Sequence, residues 1–265
     1  NIYVNKKILF NGLLKQLQAL VGYSRFSITG TGVLILFYEL HIIKIPLGHA
    51  SEESLEKEFL NYKRIEESEF SHFVNYKMEN IDGYYKMDKL LNKKITYQDI
   101  NSIIDIFSAH ECSVPLDIFV SNKMINVKLF KEKYNINVKL PLSKSIKSSP
   151  MHGDLTETNI MLNSKGNIVL IDLDRYNSIG ISNIDLIHHN VDKVSKNKGI
   201  SYFEYLESLI FSIDKNNDEI FYLYLYFLYR ISAENRDNII LDESYRQGVC
   251  KLHHLFSKYI PNTNV

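Results

Sequence analysis

The stretch Met151-His-Gly-Asp-Leu-Thr-Glu-Thr-Asn-Ile-Met-Leu162, followed by Val169-Leu-Ile-Asp-Leu-Asp174, decides how this chain is read. Ile160 to Leu162 and Ile168 to Leu173 are two short apolar runs joined by Asn163-Ser164-Lys165-Gly166, which predicts a β-hairpin. Asp154 follows a glycine in the loop before it, Asn159 immediately precedes its first strand, and Asp172 ends its second. Asn159 and Asp172 therefore flank one end of the hairpin and can converge on a point. Carboxylate, amide and water oxygens are what Mg²⁺ takes, with phosphate oxygens completing its shell. Asp154, close by and not needed for the metal, is placed to accept a hydroxyl proton. That is a minimum set for phosphoryl transfer, in which positioning and charge neutralisation supply most of the rate.

Outward from this segment, composition narrows the remaining readings. The 265 residues fit one large domain or two lobes, and a 45% hydrophobic content supplies a sizeable core. Lys+Arg and Asp+Glu are both 31, so the chain lacks the basic excess of a nucleic-acid or anionic-membrane binder. Residues 122–149 are locally basic, which reads as a solvated face. Cys112 and Cys250 lie far apart without metal-site or redox spacing, so a reducing, cytoplasmic setting is expected. The most apolar run, Ile220 to Tyr229, is about half of what a bilayer requires, so no membrane insertion is expected. No signal peptide opens the chain, which begins at Asn1 rather than Met and is open to further residues upstream.

Periodicity divides the chain near residue 90. Before it, Ile8 to Val21 has helical spacing, and three antiparallel strands are expected near 25–29, 33–39 and 41–46. A helix over Ser51–Glu67 places Leu55, Phe59 and Tyr62 on one face. Two further strands are expected near 72–78 and 84–88, joined through Asp82-Gly83. After it, Thr96-Tyr97-Gln98-Asp99 fits a capping box, and Pro115 is read as opening a helix to about Tyr134. Helices resume near Asn183, Tyr202 and Asp218, with a last one over about 242–258. The expected fold is α+β and two-lobed: residues 1–90 form a small antiparallel sheet with one helix, and residues 91–265 a larger, mostly helical lobe holding the catalytic loop and acceptor site.

His152-Gly-Asp154-Leu-x-x-x-Asn159 followed by Ile171-Asp172-x-Asp174 resembles the aminoglycoside phosphotransferase and choline kinase superfamily, small-molecule kinases with a protein-kinase-like fold. The resemblance runs in order over about 22–190 and is sharp in 151–174. It implies ATP and Mg²⁺ as cofactors, Asp154 as catalytic base, and Asn159 and Asp172 as metal ligands, with Asn159 counted also in the catalytic set. Asp174 is implied either to hold a second metal or to orient Asp172. His152 and Asp185 resemble residues that pack and brace the catalytic loop, and Phe107-Ser-Ala-His110 the helix end before it.

Such a kinase grips the nucleotide phosphates with a strand lysine held by a helix glutamate. Lys44 lies within the apolar strand His41-Ile-Ile-Lys-Ile-Pro, where an unpaired charge is costly. Glu58, nearer the centre of the helix's apolar face than Glu56, is its expected partner. Thr29-Gly30-Thr31-Gly32 stands where a phosphate-covering loop belongs; it is not a full GxGxxG, so the residues covering the phosphates stay open. The adenine hinge is expected near Lys86-Met87-Asp88.

Gly153 stands where protein kinases carry an arginine, Leu173-Asp174 follows Asp172 instead of Phe-Gly, and ten residues separate Asp174 from Asp185. These features favour a small hydroxyl acceptor. Nine acids against three basic residues over 201–243 suggest either a cationic acceptor, aminoglycoside- or choline-like, or a solvated helix surface. Tyr222, Tyr226 and Tyr229 share one helix side, as a quaternary-ammonium cage or as core. A sugar-like or other neutral acceptor is the remaining choice. The competing functions are a non-catalytic nucleotide-binding module of the same fold and, behind it, a protein kinase; the kinase half of a fusion enzyme is a further setting.

Overall fold

The computed structural model describes residues 22–92, 94–213, 218–236 and 242–260. The helix expected over Ile8–Val21 lies outside them. A five-stranded antiparallel sheet comes first, built from β1 (Arg25–Ile28), β2 (Val33–Phe37), β3 (His41–Pro46), β4 (Met78–Ile81) and β5 (Tyr84–Asp88), in the order β1-β2-β3-β5-β4. Helix α1 (His49–Glu66) enters between β3 and β4 and buries Leu55, Tyr62 and Ile65 against the sheet's core. Residues 71–74, expected to begin a strand, form a 3-10 turn, and the strand starts at Met78. Phe73 and Val74 are buried side by side there. Strand pleating would send them to opposite faces, so the turn buries both.

The second part is mostly helical. Helix α2 (Tyr97–Ser108) starts at the expected capping box: the Thr96 hydroxyl accepts from Asp99 N and the Asp99 carboxylate accepts from Thr96 N. Such a cap is worth about 1 kcal/mol. Between Cys112 and Tyr134 the expected long helix is replaced by a strand, β6 (Cys112–Pro115), and two short helices, α3 (Asp117–Ser121) and α4 (Val127–Tyr134). Pro115 ends an edge strand, where a missing N–H costs no ladder bond. β6 pairs with β7 (Ser145–Met151), which also pairs with β10 (Asn177–Ile181), making a three-stranded sheet. The hairpin of β8 (Ile160–Leu162) and β9 (Ile168–Leu170) forms as expected, with Ile160 opposite Leu170.

Four longer helices complete the chain: α5 (Ile184–Lys198), α6 (Tyr202–Ser212), α7 (Asp218–Arg236) and α8 (Glu243–Ser257). The apolar run of α7 is buried nearly all round, from Ile220 and Phe221 to Leu228 and Tyr229, as a central core helix must be. No described helix is long and apolar enough to cross a membrane. The β8–β9 hairpin shares its core with the first part: Leu155, Ile160, Val169, Leu170 and Leu173 pack with Leu55, Tyr62, Ile65 and Met87. The architecture is thus the expected two-lobed α+β arrangement, with the hairpin seated under the sheet-and-helix lobe.

Candidate active site

Between the lobes lies a cleft of about 1000 Å³, the size class of small-molecule sites. Its upper wall is Thr29, Gly30, Val33 and Lys44; its floor is Asp154, Asn159, Met161, Ile171, Asp172 and Asp174. The segment Met87–Asn92 closes the back, so the connecting backbone lies slightly beyond the expected Lys86-Met87-Asp88, and Lys86 does not reach the cleft. Leu91 pairs with Leu162 there, fixing the connection to the hairpin.

Lys44 and Glu58 form the expected pair. Lys44 Nζ donates to both Glu58 oxygens, at 2.6 and 2.7 Å, and both residues are buried. Burial alone lowers a lysine's pKa, but Glu58, Asp172 and Asp174 outweigh it and the net shift is upward. Glu58 also accepts from Asp172 N at 3.2 Å. On the same helix face, Ser54 Oγ donates to Asp174 Oδ2 at 3.0 Å, and Asn61 Nδ2 donates to Leu173 O at 2.7 Å and Tyr176 O at 3.3 Å.

Asp172 adopts a left-handed conformation, φ 62° and ψ 51°, which aspartate tolerates better than most residues. Residues 173–175 then form a 3-10 turn, so Asp174 reaches the cleft by this turn and not along a continued strand. Its carboxyl is pushed up to about 6 by burial, then by the neighbouring Asp172 charge. Asn159 Nδ2 donates to Asp154 O at 2.9 Å, which fixes the amide and leaves Oδ1 as the end available to a cation. No hydrogen bond of the described residues engages the Asp172 carboxylate. Among these residues, no three of His, Cys, Asp and Glu are grouped to hold an ion alone. An Asp–Asn pair facing open cleft suits Mg²⁺, which binds through one or two carboxylates together with substrate phosphates.

The loop His152–Asp154 is braced by the residue expected to brace it. Asp185, in the first turn of α5, accepts from His152 N at 2.6 Å and Gly153 N at 2.8 Å. Burial raises its pKa, with His152 and these N–H groups opposing. His152 Nε2 donates to Ile171 O at 2.8 Å and its Nδ1 accepts from Asp154 N at 3.3 Å, so both nitrogens are engaged in holding the loop. Gly153 has φ +83°, and a Cβ there would lie 2.5 Å from the Tyr229 hydroxyl and 2.6 Å from Arg175 O. The glycine that replaces an arginine is thus required by packing.

Gly30 lines the cleft; Gly32, with φ +85°, shapes the turn and is not part of the lining. The turn closes through Gly32 N to Thr29 O at 3.0 Å, and Thr29 and Thr31 present hydroxyls beside Gly30.

Three groups around Asp154 were not anticipated as its partners. His188 Nε2 lies 2.9 Å from Asp154 Oδ1, Arg230 Nη1 2.8 Å and Arg175 Nη1 3.3 Å. Burial would raise this carboxyl, but His188, Arg175 and Arg230 together drive it far below the usual range. His188 is held in turn by the Tyr226 hydroxyl at 3.0 Å, and Arg230 Nε by Glu234 at 2.7 Å. The readable signal was a charged residue closing an otherwise apolar run at Arg230; His188, one turn after Asp185, carried none.

Two of the three tyrosines settle as core: Tyr226 and Tyr229 are buried, and Tyr229 Oη donates to Gly153 O at 2.9 Å, whereas Tyr222 is half-buried and its hydroxyl accepts from Lys147 N at 3.0 Å. The described acids of 201–243 are dispersed. Glu204 and Asp242 cap helices, Glu207 pairs with Lys251 and Asp218 with Lys144. Only Glu234, through Arg230, connects to Asp154 among the described residues; Asp214 and Asp237 lie outside them.

No protein-family model matches the chain, and no curated protein matches its sequence. Among solved structures, it is similar to the choline kinase LicA from Streptococcus pneumoniae, at 12% identity over 95% of this chain and 99% of that one, with a TM-score of 0.48. It is similar to a choline/ethanolamine kinase family protein from Mesorhizobium loti, at 10% identity over 94% and 95%, TM-score 0.48. The ADP-bound aminoglycoside phosphotransferase APH(2'')-Ib gives 14% identity over 94% and 96%, TM-score 0.48.

Proposed function

We propose that this protein is an ATP- and Mg²⁺-dependent phosphotransferase that moves the γ-phosphoryl group to a hydroxyl of a small molecule. The observation that carries the reading is the convergence on one cleft of a buried Lys44–Glu58 pair, a free Asp172 carboxylate, the Asn159 amide oxygen and Asp154. The sheet-and-helix lobe before residue 90 would grip the nucleotide, and the lobe after it would carry the catalytic loop and the acceptor.

The adenine ring would enter between Val33, Ile42, Met87, Met161 and Ile171, an apolar slot ending at Met87–Asn92. Lys44, fixed by Glu58, would hold phosphate oxygens, with Thr29, Gly30 and Thr31 above them. Asn159 and Asp172 would hold Mg²⁺, which neutralises phosphate charge when bound; Asp174 would orient Asp172 or take a second ion. Asp154 would accept the acceptor's proton on Oδ2, since His188, Arg175 and Arg230 all occupy Oδ1.

The same crowding of Oδ1 favours, as a second reading, a nucleotide-binding module without turnover, because cations weaken a base. Phosphate transfer from [γ-³²P]ATP to a broad panel of hydroxyl compounds separates the two. Transfer to a small molecule, reduced at least about 100-fold by Asp154→Asn while Mg-ATP still raises Tm, supports the kinase. Binding of Mg-ATP with no transfer to any acceptor supports the module, and labelling of proteins in preference to small molecules overturns both.

A further inference from the structure

We propose that His188 and Tyr226 are positioning residues for the transfer: joined in a relay of hydrogen bonds, they set which oxygen of Asp154 meets the acceptor hydroxyl. The inference rests on the kinase reading and adds two residues that touch neither nucleotide nor acceptor in it.

The relay follows from counting donors and acceptors. His188 Nε2 lies 2.9 Å from Asp154 Oδ1, and its Nδ1 lies 3.0 Å from the Tyr226 hydroxyl. An ionised carboxylate only accepts, so Nε2 carries a hydrogen. Tyr226 is buried, and burial raises its pKa well above the ordinary value, so the phenol keeps its own hydrogen. With a neutral imidazole, Tyr226 Oη donates to Nδ1 and Nε2 donates to Oδ1, and every polar group in the row has its partner. An imidazolium would carry a second hydrogen on Nδ1 and turn the Tyr226 O–H away. That hydroxyl makes no other hydrogen bond among the described residues, and a buried O–H without a partner is costly. The site is therefore built for the neutral imidazole with hydrogen on Nε2.

The helices that carry the two side chains make the relay rigid. Helix α5 meets the loop at successive positions of one face: Asp185 accepts from His152 N and Gly153 N, and His188, three residues on, meets the Asp154 side chain. Helix α7 adds Tyr226 on His188 and, three residues on, Tyr229 on Gly153 O. Loop backbone and carboxylate are thus fixed by the same pair of helices. Arg175 and Arg230 also reach Oδ1, but His188 is the most buried of the three, with its side chain 7% exposed against 12% and 19%. Its contact is the one anchored in the core. With Oδ1 taken, Oδ2 is left to accept a hydrogen bond from the acceptor hydroxyl. Phosphoryl transfer draws much of its rate from such placement.

The test measures transfer from Mg-ATP to the hydroxyl compound that the wild type phosphorylates fastest. Tyr226→Phe removes one oxygen and keeps the ring in the core; it is expected to lower kcat about fivefold and leave the KM for Mg-ATP unchanged. His188→Leu is expected to lower kcat about 100-fold, and His188→Gln, whose amide N–H can still meet Oδ1, to restore most of it. In the Asp154→Asn background, Tyr226→Phe should have no further effect, because the relay acts through that carboxylate; a tyrosine that only supports the fold would slow both enzymes alike. Nitrogen-15 NMR of the histidine-labelled wild type reads the tautomer without any substitution. His188, assigned by its loss in His188→Gln, should be neutral with its hydrogen on Nε2 near neutral pH. An imidazolium or a hydrogen on Nδ1 overturns the relay. An unchanged kcat in both Tyr226→Phe and His188→Leu also overturns it, and leaves the kinase standing. Mg-ATP binding by the wild type without transfer to any acceptor removes the kinase reading and the positioning role together.

Discussion

Replacing Glu58 by leucine strands the Lys44 ammonium in the wall of the cleft. The two groups are buried and 2.6 Å apart, where Coulomb attraction at an effective dielectric near 20 is about 6 kcal/mol. The cost of burying both charges offsets part of that, but removing one partner leaves the other uncompensated, at about 3–5 kcal/mol. Lys44→Met should cost a similar amount, since Glu58 then keeps only the Asp172 N–H at 3.2 Å. The double variant Lys44→Met/Glu58→Leu buries no charge and should recover to within about 2 kcal/mol of wild type. At about 2–4 °C per kcal/mol, each single variant lowers Tm by about 6–20 °C and the double by far less.

The pH of the assay matters through its sign. Lys44 has a folded pKa above its unfolded value of about 10.4. Its stabilisation is therefore complete below that value and fades only as pH rises through the folded pKa. Urea unfolding near neutral pH reads the whole effect. Single variants within about 1 kcal/mol of wild type, or a double variant no more stable than the worse single, would refute the buried pair. All three variants are expected to lose Mg-ATP binding, so the double separates grip from stability.

Asp172→Ala should weaken nucleotide binding in the presence of Mg²⁺ and leave metal-free binding little changed; equal loss in both, measured by calorimetry, would remove Asp172 from the metal site. Gly153→Ala forces a Cβ against the Tyr229 hydroxyl and Arg175 O at a positive φ, so stability should drop by at least about 2 kcal/mol, with turnover lower still because Asp154 moves; an unchanged Tm would contradict the packing described. His189 is buried, its ring nitrogens have no hydrogen-bond partner among the described residues, and burial lowers its pKa. The unfolded chain then takes up the proton first, so stability falls as pH drops below about 6.5. His189→Leu should make that decline shallower, with His253, also lowered by burial, retaining part of it; an identical slope of Tm against pH sinks the assignment.

The parts of the fold that were legible are those whose signal is local. The β8–β9 hairpin, the Lys44 strand, the face of α1 that carries Glu58 and the capping box at Thr96 all announce themselves within a few residues. The β6–β7–β10 sheet does not: Ser145–Met151 is Ser-Ile-Lys-Ser-Ser-Pro-Met, with no clean alternation, and its partners begin at Cys112 and Asn177. Pro115 is compatible with a helix start or a strand end, and only the pairing of Pro115 with Ser145 decides between them. The partners of Asp154 were hidden for the same reason. His188 and Arg230 come from helices 34 and 76 residues away, and nothing in the periodicity of α5 or α7 shows which turn faces the catalytic loop.

Helix α1 touches the segment after β9 at three successive turns of one face, through Ser54, Glu58 and Asn61. The helix that fixes Lys44 is thereby riveted to the backbone that carries Asp172, and neither can move without the other. An off state in which this helix tilts outward would have to break all three attachments together. On the proposed function, such a site would stand permanently armed, and its output would be governed by how much of each substrate arrives.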